Sequence, residues 1–209
     1  MRCSEAGGVL VVKDDPEAVE ADLSAGLVAC PGCGGRLARW GFGSERVLRT
    51  LDGVRRLRPR RTRCSSCGTS HVLEPASTVV RHRDTAEVIG TAWLAKVAGA
   101  GHRAIAARLD RPVSTVRRWL RRLGARAEAL RTAATWWAHE FDTAMGPLDP
   151  AGSALADALE AVGVAVAAAA RRLGPRPPWE AAIALTGGLI ASPGPRHRDG
   201  VKGGRQAVP

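Results

Sequence analysis

The sequence predicts a mostly α-helical protein with a small β segment, followed by a three-helix unit and a helical C-terminal extension. Three observations predict it. Four of the five cysteines fall into two Cys-x-x-Cys-Gly knuckles, Cys30-Pro31-Gly32-Cys33-Gly34 and Cys64-Ser65-Ser66-Cys67-Gly68, and the stretch between them reads as short strands. From Asp84 onward apolar residues recur every three or four positions, the period of an amphipathic helix. Gly and Pro clusters at Gly99-Ala100-Gly101, Gly146-Pro147 and Gly174-Pro175 divide those helices. The expected segments are a leader over 1–29, the knuckle segment over 30–80, a helical unit over 84–124, a helical extension over 125–191 and a disordered tail over 192–209.

In the leader, Val9-Leu10-Val11-Val12 suits a strand. Asp14 or Asp15 can cap a short helix from Pro16 to about Ala25, with Gly26 as its stop. Cys3 stands apart from the knuckles and is read as an unpaired thiol. Met1-Arg2-Cys3 leads into Gly, Val and acidic residues, which is no secretory signal. The apolar run over 161–170 is far shorter than the ~20 residues a membrane span needs. The expectation is a soluble, cytoplasmic, nucleoid-associated chain with no membrane partner, in a compartment that keeps thiols reduced.

The knuckles carry the clearest chemistry. A two-residue gap lets both sulfurs of a pair face one point, and the Gly after the second Cys permits the turn that aims backbone N–H groups at them. Cys30, Cys33, Cys64 and Cys67 then supply four thiolates, the tetrahedral set that a structural Zn²⁺ prefers. Disulfides are disfavoured in a reducing compartment, whereas iron in a rubredoxin-like site is left open by the knuckles alone. Four thiolates close the shell, so the metal is expected to staple a segment too small to hold itself together, not to catalyse. His71 and His82 are not needed as ligands.

Between the knuckles, residues 46–51 and 54–63 suit two strands with Asp52-Gly53 as their hairpin turn. The second strand has arginines on both faces, so burial of either face is not expected. Arg58, Arg60 and Arg61 are candidates for tracking a phosphate backbone, against the alternative of a merely solvated ribbon. Two knuckles around a small sheet resemble the zinc-ribbon family.

Asp84-Thr85-Ala86-Glu87 has the capping-box pattern with Asp84 as cap. Ile89, Trp93 and Val97 then mark one face of a helix of about 15 residues, a support for the two shorter helices after it. Residues 101–123 read as those two helices joined by a tight turn. Ile105, Ala106 and Leu109 form the apolar stripe of the first, and Val116, Trp119, Leu120 and Leu123 that of the second. Asp110-Arg111-Pro112 lies between, where Asp110 tolerates the left-handed conformation and Pro112 suits a helix's first turn. Outward on the second helix remain Ser114, Thr115, Arg117, Arg118, Arg121 and Arg122, hydroxyls and guanidiniums suited to the major groove. Trp93 and Trp119 are expected in the core.

Residues 101–123 resemble a helix-turn-helix unit: Ala106 is the small residue one turn into the first helix, and Val116 and Trp119 are the bulky positions of the second. Asp110 stands where the family usually has Gly. The run is also similar to DNA-binding segments of insertion-sequence transposases and resolvases. Ribbon followed by helix-turn-helix looks like the pair that begins several insertion-sequence transposases, and like uncharacterised proteins of high-GC bacteria that carry this pair and a short helical tail. The resemblance implies recognition of double-stranded DNA. A helical hairpin with a solvated basic face is the competing reading.

The formal net charge of +11 points to a polyanionic partner. Codon bias can inflate Arg, so its distribution weighs more than its total. Residues 36–63 hold ten Arg against Glu45 and Asp52, and residues 103–131 hold nine against Asp110 and Glu128. The charge sits on the two segments that look like nucleic-acid modules.

After Leu123 the helical pattern continues over 125–138. Trp136-Trp137 suggests one ring for the core and one for a partner. Residues 146–150 read as a linker. An Ala-rich helix over 151–173 carries Leu155, Leu159, Val162 and Val166 on one side, and a last helix runs from Pro178 to Leu185 or Ile190 with Trp179 at its start. Such small-residue helices point to packing on something else, a second copy of the chain being the candidate; a mobile-element recombinase is a further candidate partner. The acidic residues after Leu123 fall on helices or linkers, with no strand-borne set of three carboxylates for two metal ions. No catalytic domain is expected. The function expected is sequence-specific DNA binding, by a transcriptional regulator or a DNA-targeting subunit related to mobile elements. The alternative is a zinc-stapled adaptor that binds protein or RNA through the helical tail and basic ribbon.

Overall fold

The structure is a computed structural model, and it describes residues 8–80 and 82–186. Cys3, the tail over 192–209 and the reading of Ile190 as a helix end lie outside the described residues. A small β region with four clustered cysteines precedes a helical region that contains a helix-turn-helix.

The β region begins with β1 (Gly8–Val12) and α1 (Pro16–Ala25). The Asp15 carboxylate accepts from the Glu17 amide as N-cap, and Gly26 ends α1 at φ 73°. Strands β2 (Leu37–Phe42), β5 (Arg60–Cys64) and β6 (Ser70–Pro75) join β1 in a sheet of order β1-β6-β5-β2, with β1 parallel to β6 and the other pairs antiparallel. The leader is therefore part of the ribbon's sheet. Its helix supplies Val19 and Leu23 to a core shared with Leu37, Leu73, Cys30 and Cys64.

A separate hairpin, β3 (Arg46–Arg49) with β4 (Val54–Leu57), turns through 50–53. Residues 54–63, expected as one strand, are thus two strands in two sheets. Pro59 cannot donate to a ladder, and the chain crosses at Arg58-Pro59 from the hairpin into the main sheet. Nor is 54–63 wet on both faces: Thr62 is fully buried, because β5 is an interior strand.

The helical region contains α2 (Ala86–Val97), α3 (His102–Arg108), α4 (Val113–Gly124), α5 (Ala127–Phe141), α6 (Ala154–Leu173) and α7 (Pro178–Leu185). Ile89 and Trp93 of α2, Ile105 and Ala106 of α3, and Val116, Trp119 and Leu123 of α4 are buried in one core. Val97 is 42% exposed, contrary to the α2 pattern, because α2 ends there and has 12 residues, not 15. Asp84 does not act as the cap of α2 either. Thr85 occupies the N-cap without a side-chain bond, and the Asp84 carboxylate is drawn instead to two guanidiniums. Pro112 stands at the N-cap of α4, one residue before its first turn. Asp110 adopts φ 50°, the left-handed turn conformation expected of it.

The helical pattern after Leu123 breaks at 125–126, and α5 begins at Ala127. The α6 helix starts at Ala154, capped by the Ser153 hydroxyl, later than the residue-151 start expected. Its small-residue face, with Ala158, Ala161 and Ala165 buried, packs along α5 of the same chain. Alanines let the two backbones approach closely, so this face finds its cover in cis. Trp179 of α7 crosses α2 at Gly90, where an added Cβ would lie 2.0 Å from the indole. Trp93 and Trp179 meet edge to face with centroids 5.8 Å apart.

Candidate metal centre and nucleic-acid interface

The knuckles converge. The sulfurs of Cys30, Cys33, Cys64 and Cys67 lie within 4.8 Å of one another, with Cys30–Cys67 at 3.8 Å and Cys33–Cys64 at 3.5 Å. These spacings are far longer than a disulfide's ~2.05 Å, and the thiols are free. A tetrahedron with ~2.3 Å metal–sulfur bonds has edges of about 3.8 Å, so the donor set fits a four-coordinate ion. The knuckle turns close with Gly34 N–H on the Cys30 carbonyl and Gly68 N–H on the Cys64 carbonyl. Gly34 and Gly68 have φ of 71° and 75°, which is why glycine follows each pair.

The thiols of Cys33, Cys64 and Cys67 are shifted in different directions. The Thr69 hydroxyl and amide pull Cys67 down to about 5, and the Cys67 amide lowers Cys64. Cys33 is pushed up to about 12: the Gly35 amide pulls it down, but the sulfurs of Cys64, Cys67 and Cys30 outweigh that. Crowded thiolates repel one another, and a cation relieves that repulsion. The four-sulfur group does not include His71. Its Nε2 lies 3.5 Å from the Cys30 sulfur, buried on β6 two residues before the inward Leu73. That alternation along the strand is the signal that places it.

On α4 the expected split between faces holds. Val116, Trp119 and Leu123 are buried, and Ser114, Arg117, Arg118, Arg121 and Arg122 are exposed, with Thr115 half-buried. Arg117 reaches His102 of α3 at 3.2 Å, and Arg122 reaches His82 at 3.4 Å. Burial lowers the His82 pKa, helped by the charges of Arg122 and Arg118 and opposed by Asp84.

The ribbon arginines divide. Arg58 is exposed and Arg61 half-buried. Arg60 is only 14% exposed and pairs with Glu20 of α1 at 2.8 Å, so its charge is committed within the fold. Its place beside the buried Thr62 on an interior strand explains the difference.

A junction that sequence reasoning missed joins the two regions. Asp84, buried, accepts from Arg49 of β3 and from Arg111 of the helix-turn-helix turn, both at 2.6 Å. Arg111 also donates to the Thr50 carbonyl at 3.3 Å. The backbone continues the link, with Arg49 N–H on the Arg83 carbonyl and Thr85 N–H on the Arg49 carbonyl. The hairpin is thereby fixed against the turn that leads into α4. No local pattern announces a contact 35 residues apart in sequence.

Two packed helices, a left-handed turn and a supporting helix with one shared core are the geometry of a three-helix DNA-binding unit. Residues 82–131 match the homeodomain-like domain family. No curated protein and no solved structure matches the chain. The homeodomain-like unit suggests DNA binding, and its matched span takes in α2, α3, α4 and the start of α5. Among the described residues no helix is long and apolar enough to cross a membrane.

Proposed function

We propose that the chain is a site-recognising, double-stranded-DNA-binding protein with no catalytic domain, either a transcriptional regulator or the targeting subunit of a mobile element. One observation carries the reading: α4 of the homeodomain-like unit buries Val116, Trp119 and Leu123 and turns Arg117, Arg118, Arg121 and Arg122 to solvent. Guanidiniums on an exposed recognition helix suit guanine edges and phosphates. Ser114 and Thr115 lie at its N-terminal end, the end that enters the groove in such domains. Arg58 and Arg61 of the ribbon add phosphate contacts, and the Asp84 junction holds ribbon and recognition helix in one arrangement.

The four cysteines hold Zn²⁺ in this reading. When bound, the ion ties the two knuckles together and balances the thiolates, and it has no open position for a substrate. The reading gives the later carboxylates no catalytic role: Glu128 pairs with Arg131 and Asp142 with Arg171, on or beside helices. The chain's surroundings are read as the nucleoid.

The test is selection of bound duplexes from a random pool with full-length, zinc-loaded protein. An enriched motif, bound more weakly by Arg117→Ala and Arg118→Ala, is the expected result. Absence of any enriched sequence would remove site recognition. A palindromic motif would indicate a two-fold dimer, and its purification with a recombinase would favour the mobile-element role. The adaptor reading draws on Trp136, 55% exposed on α5. Binding of RNA or a protein partner with no duplex affinity would favour it.

A further inference from the structure

Strand β2 is an edge of the ribbon sheet, and it carries two aromatic side chains that the fold leaves half in water. Trp40 is 52% exposed and Phe42 49%. In a chain with six Trp, two Phe and no Tyr, two such rings on one edge strand are a concentrated use of a scarce residue type. Each ring is accompanied by positive charge. The Arg63 guanidinium lies 4.9 Å from the Trp40 centroid, and Arg60 and Arg58 lie 4.4 and 5.2 Å from that of Phe42. The placement is built, not incidental. Arg63 is held by the Gly68 carbonyl at 3.1 Å, and Arg60 by Glu20 and the Gly41 carbonyl. Between the rings Gly41, at φ 91°, carries a register shift against β5 that separates them along the edge.

We propose that this edge binds single-stranded nucleic acid, with Trp40 and Phe42 stacking unpaired bases and Arg58 and Arg63 meeting the adjoining phosphates. The ligand must offer flat π-faces and negative charge in alternation. Unpaired nucleotides offer both. A duplex offers the charge but keeps its base faces stacked inside, so the rings of Trp40 and Phe42 have no part in duplex reading by α4, although Arg58 beside them can meet the phosphates of either ligand. An apolar protein surface would cover the rings but leave the exposed Arg58 and Arg63 without counter-charge.

The test uses full-length, zinc-loaded protein and a fluorescently labelled oligo(dT), read by anisotropy at two salt concentrations, with a duplex in parallel. Trp40→Ala combined with Phe42→Ala is expected to weaken oligo(dT) binding by tenfold or more and leave duplex binding within about twofold, since base stacking carries much of such affinity. Trp40→Phe should retain most of the oligo(dT) affinity, because a π-face remains. Arg117→Ala with Arg118→Ala should show the reverse pattern. Undiminished oligo(dT) binding by the double alanine variant overturns the proposal. Loss of affinity in Trp40→Phe equal to that in Trp40→Ala, with zinc content intact, also overturns it, as does failure of oligo(dT) to quench Trp fluorescence more in the wild type than in Trp40→Phe.

Discussion

Replacing Asp84 by Asn removes one negative charge from between two guanidiniums and changes little else in shape. The Asp84 side chain is 3% exposed, Arg111 10% and Arg49 35%. At an effective dielectric of about 20, charges ~4 Å apart attract by about 4 kcal/mol, and desolvation of the three groups offsets much of that. What matters is the state left behind. Arg49 can turn partly to water, whereas Arg111 keeps its charge in a site with no counter-ion. Breaking a buried pair by removing one partner costs about 3–5 kcal/mol, and the remaining amide oxygen keeps Asp84→Asn near the lower end. With a urea slope of about 2 kcal/mol per molar, the unfolding midpoint should fall by about 1.5 M. The assay is urea unfolding followed by circular dichroism on zinc-loaded protein. Arg56→Ala is the control, because its pair with Glu45 is exposed on both sides and should contribute less than about 1 kcal/mol. A shift under about 0.5 M for Asp84→Asn, with zinc content unchanged, would refute the reasoning that this junction holds the ribbon to the helix-turn-helix.

The remaining predictions concern the core, the metal, the recognition helix and pH. Gly90→Ala should lower the melting temperature despite the ~1 kcal/mol that helix propensity favours, because its methyl would lie 2.0 Å from Trp179; a higher Tm would mean that α7 is not seated there. Cys33→Ser should abolish stoichiometric metal in elemental analysis, and a chelator should melt the ribbon's strands; four-Cys protein that folds identically without metal contradicts the staple. Arg117→Ala and Arg118→Ala should each weaken binding to a selected duplex by about 1–3 kcal/mol if they read bases; unchanged affinity in both removes the recognition-helix assignment. His82 has a pKa below its unfolded value, so its neutral form is favoured by folding. That contribution is full above about pH 6.5 and is lost as pH falls through 6.5 toward the folded pKa. Stability measured across that window should decline less in His82→Gln, and identical pH slopes for the two proteins would deny it.

Much of this fold can be read from short-range chemistry. The knuckle turns result from a two-residue gap and a Gly. The α1 helix results from Asp15, Pro16 and Gly26. The buried stripe of α4 comes from 3.6-residue periodicity, and the left-handed turn from an Asp in its place. Each of these is decided within about one helical turn, where the sequence states both partners. The convergence of four sulfurs was legible for a related reason: a thiolate quartet has few uses other than one ion.

Tertiary structure alone decided what depends on a distant partner. Residues 54–63 carry the same Arg-rich pattern throughout, yet β4 stays in the hairpin and β5 lies inside a sheet, because β2 and β6 flank only the latter. Asp84 has a cap's sequence context and a different occupation, because Arg49 and Arg111 offer it two charged donors where a helix start offers amides. Arg60 and Arg58 differ by two positions, but Glu20 neutralises only the first. A local pattern specifies which groups a side chain can bond; only the folded chain determines which of them stand within reach and are sheltered from competing water.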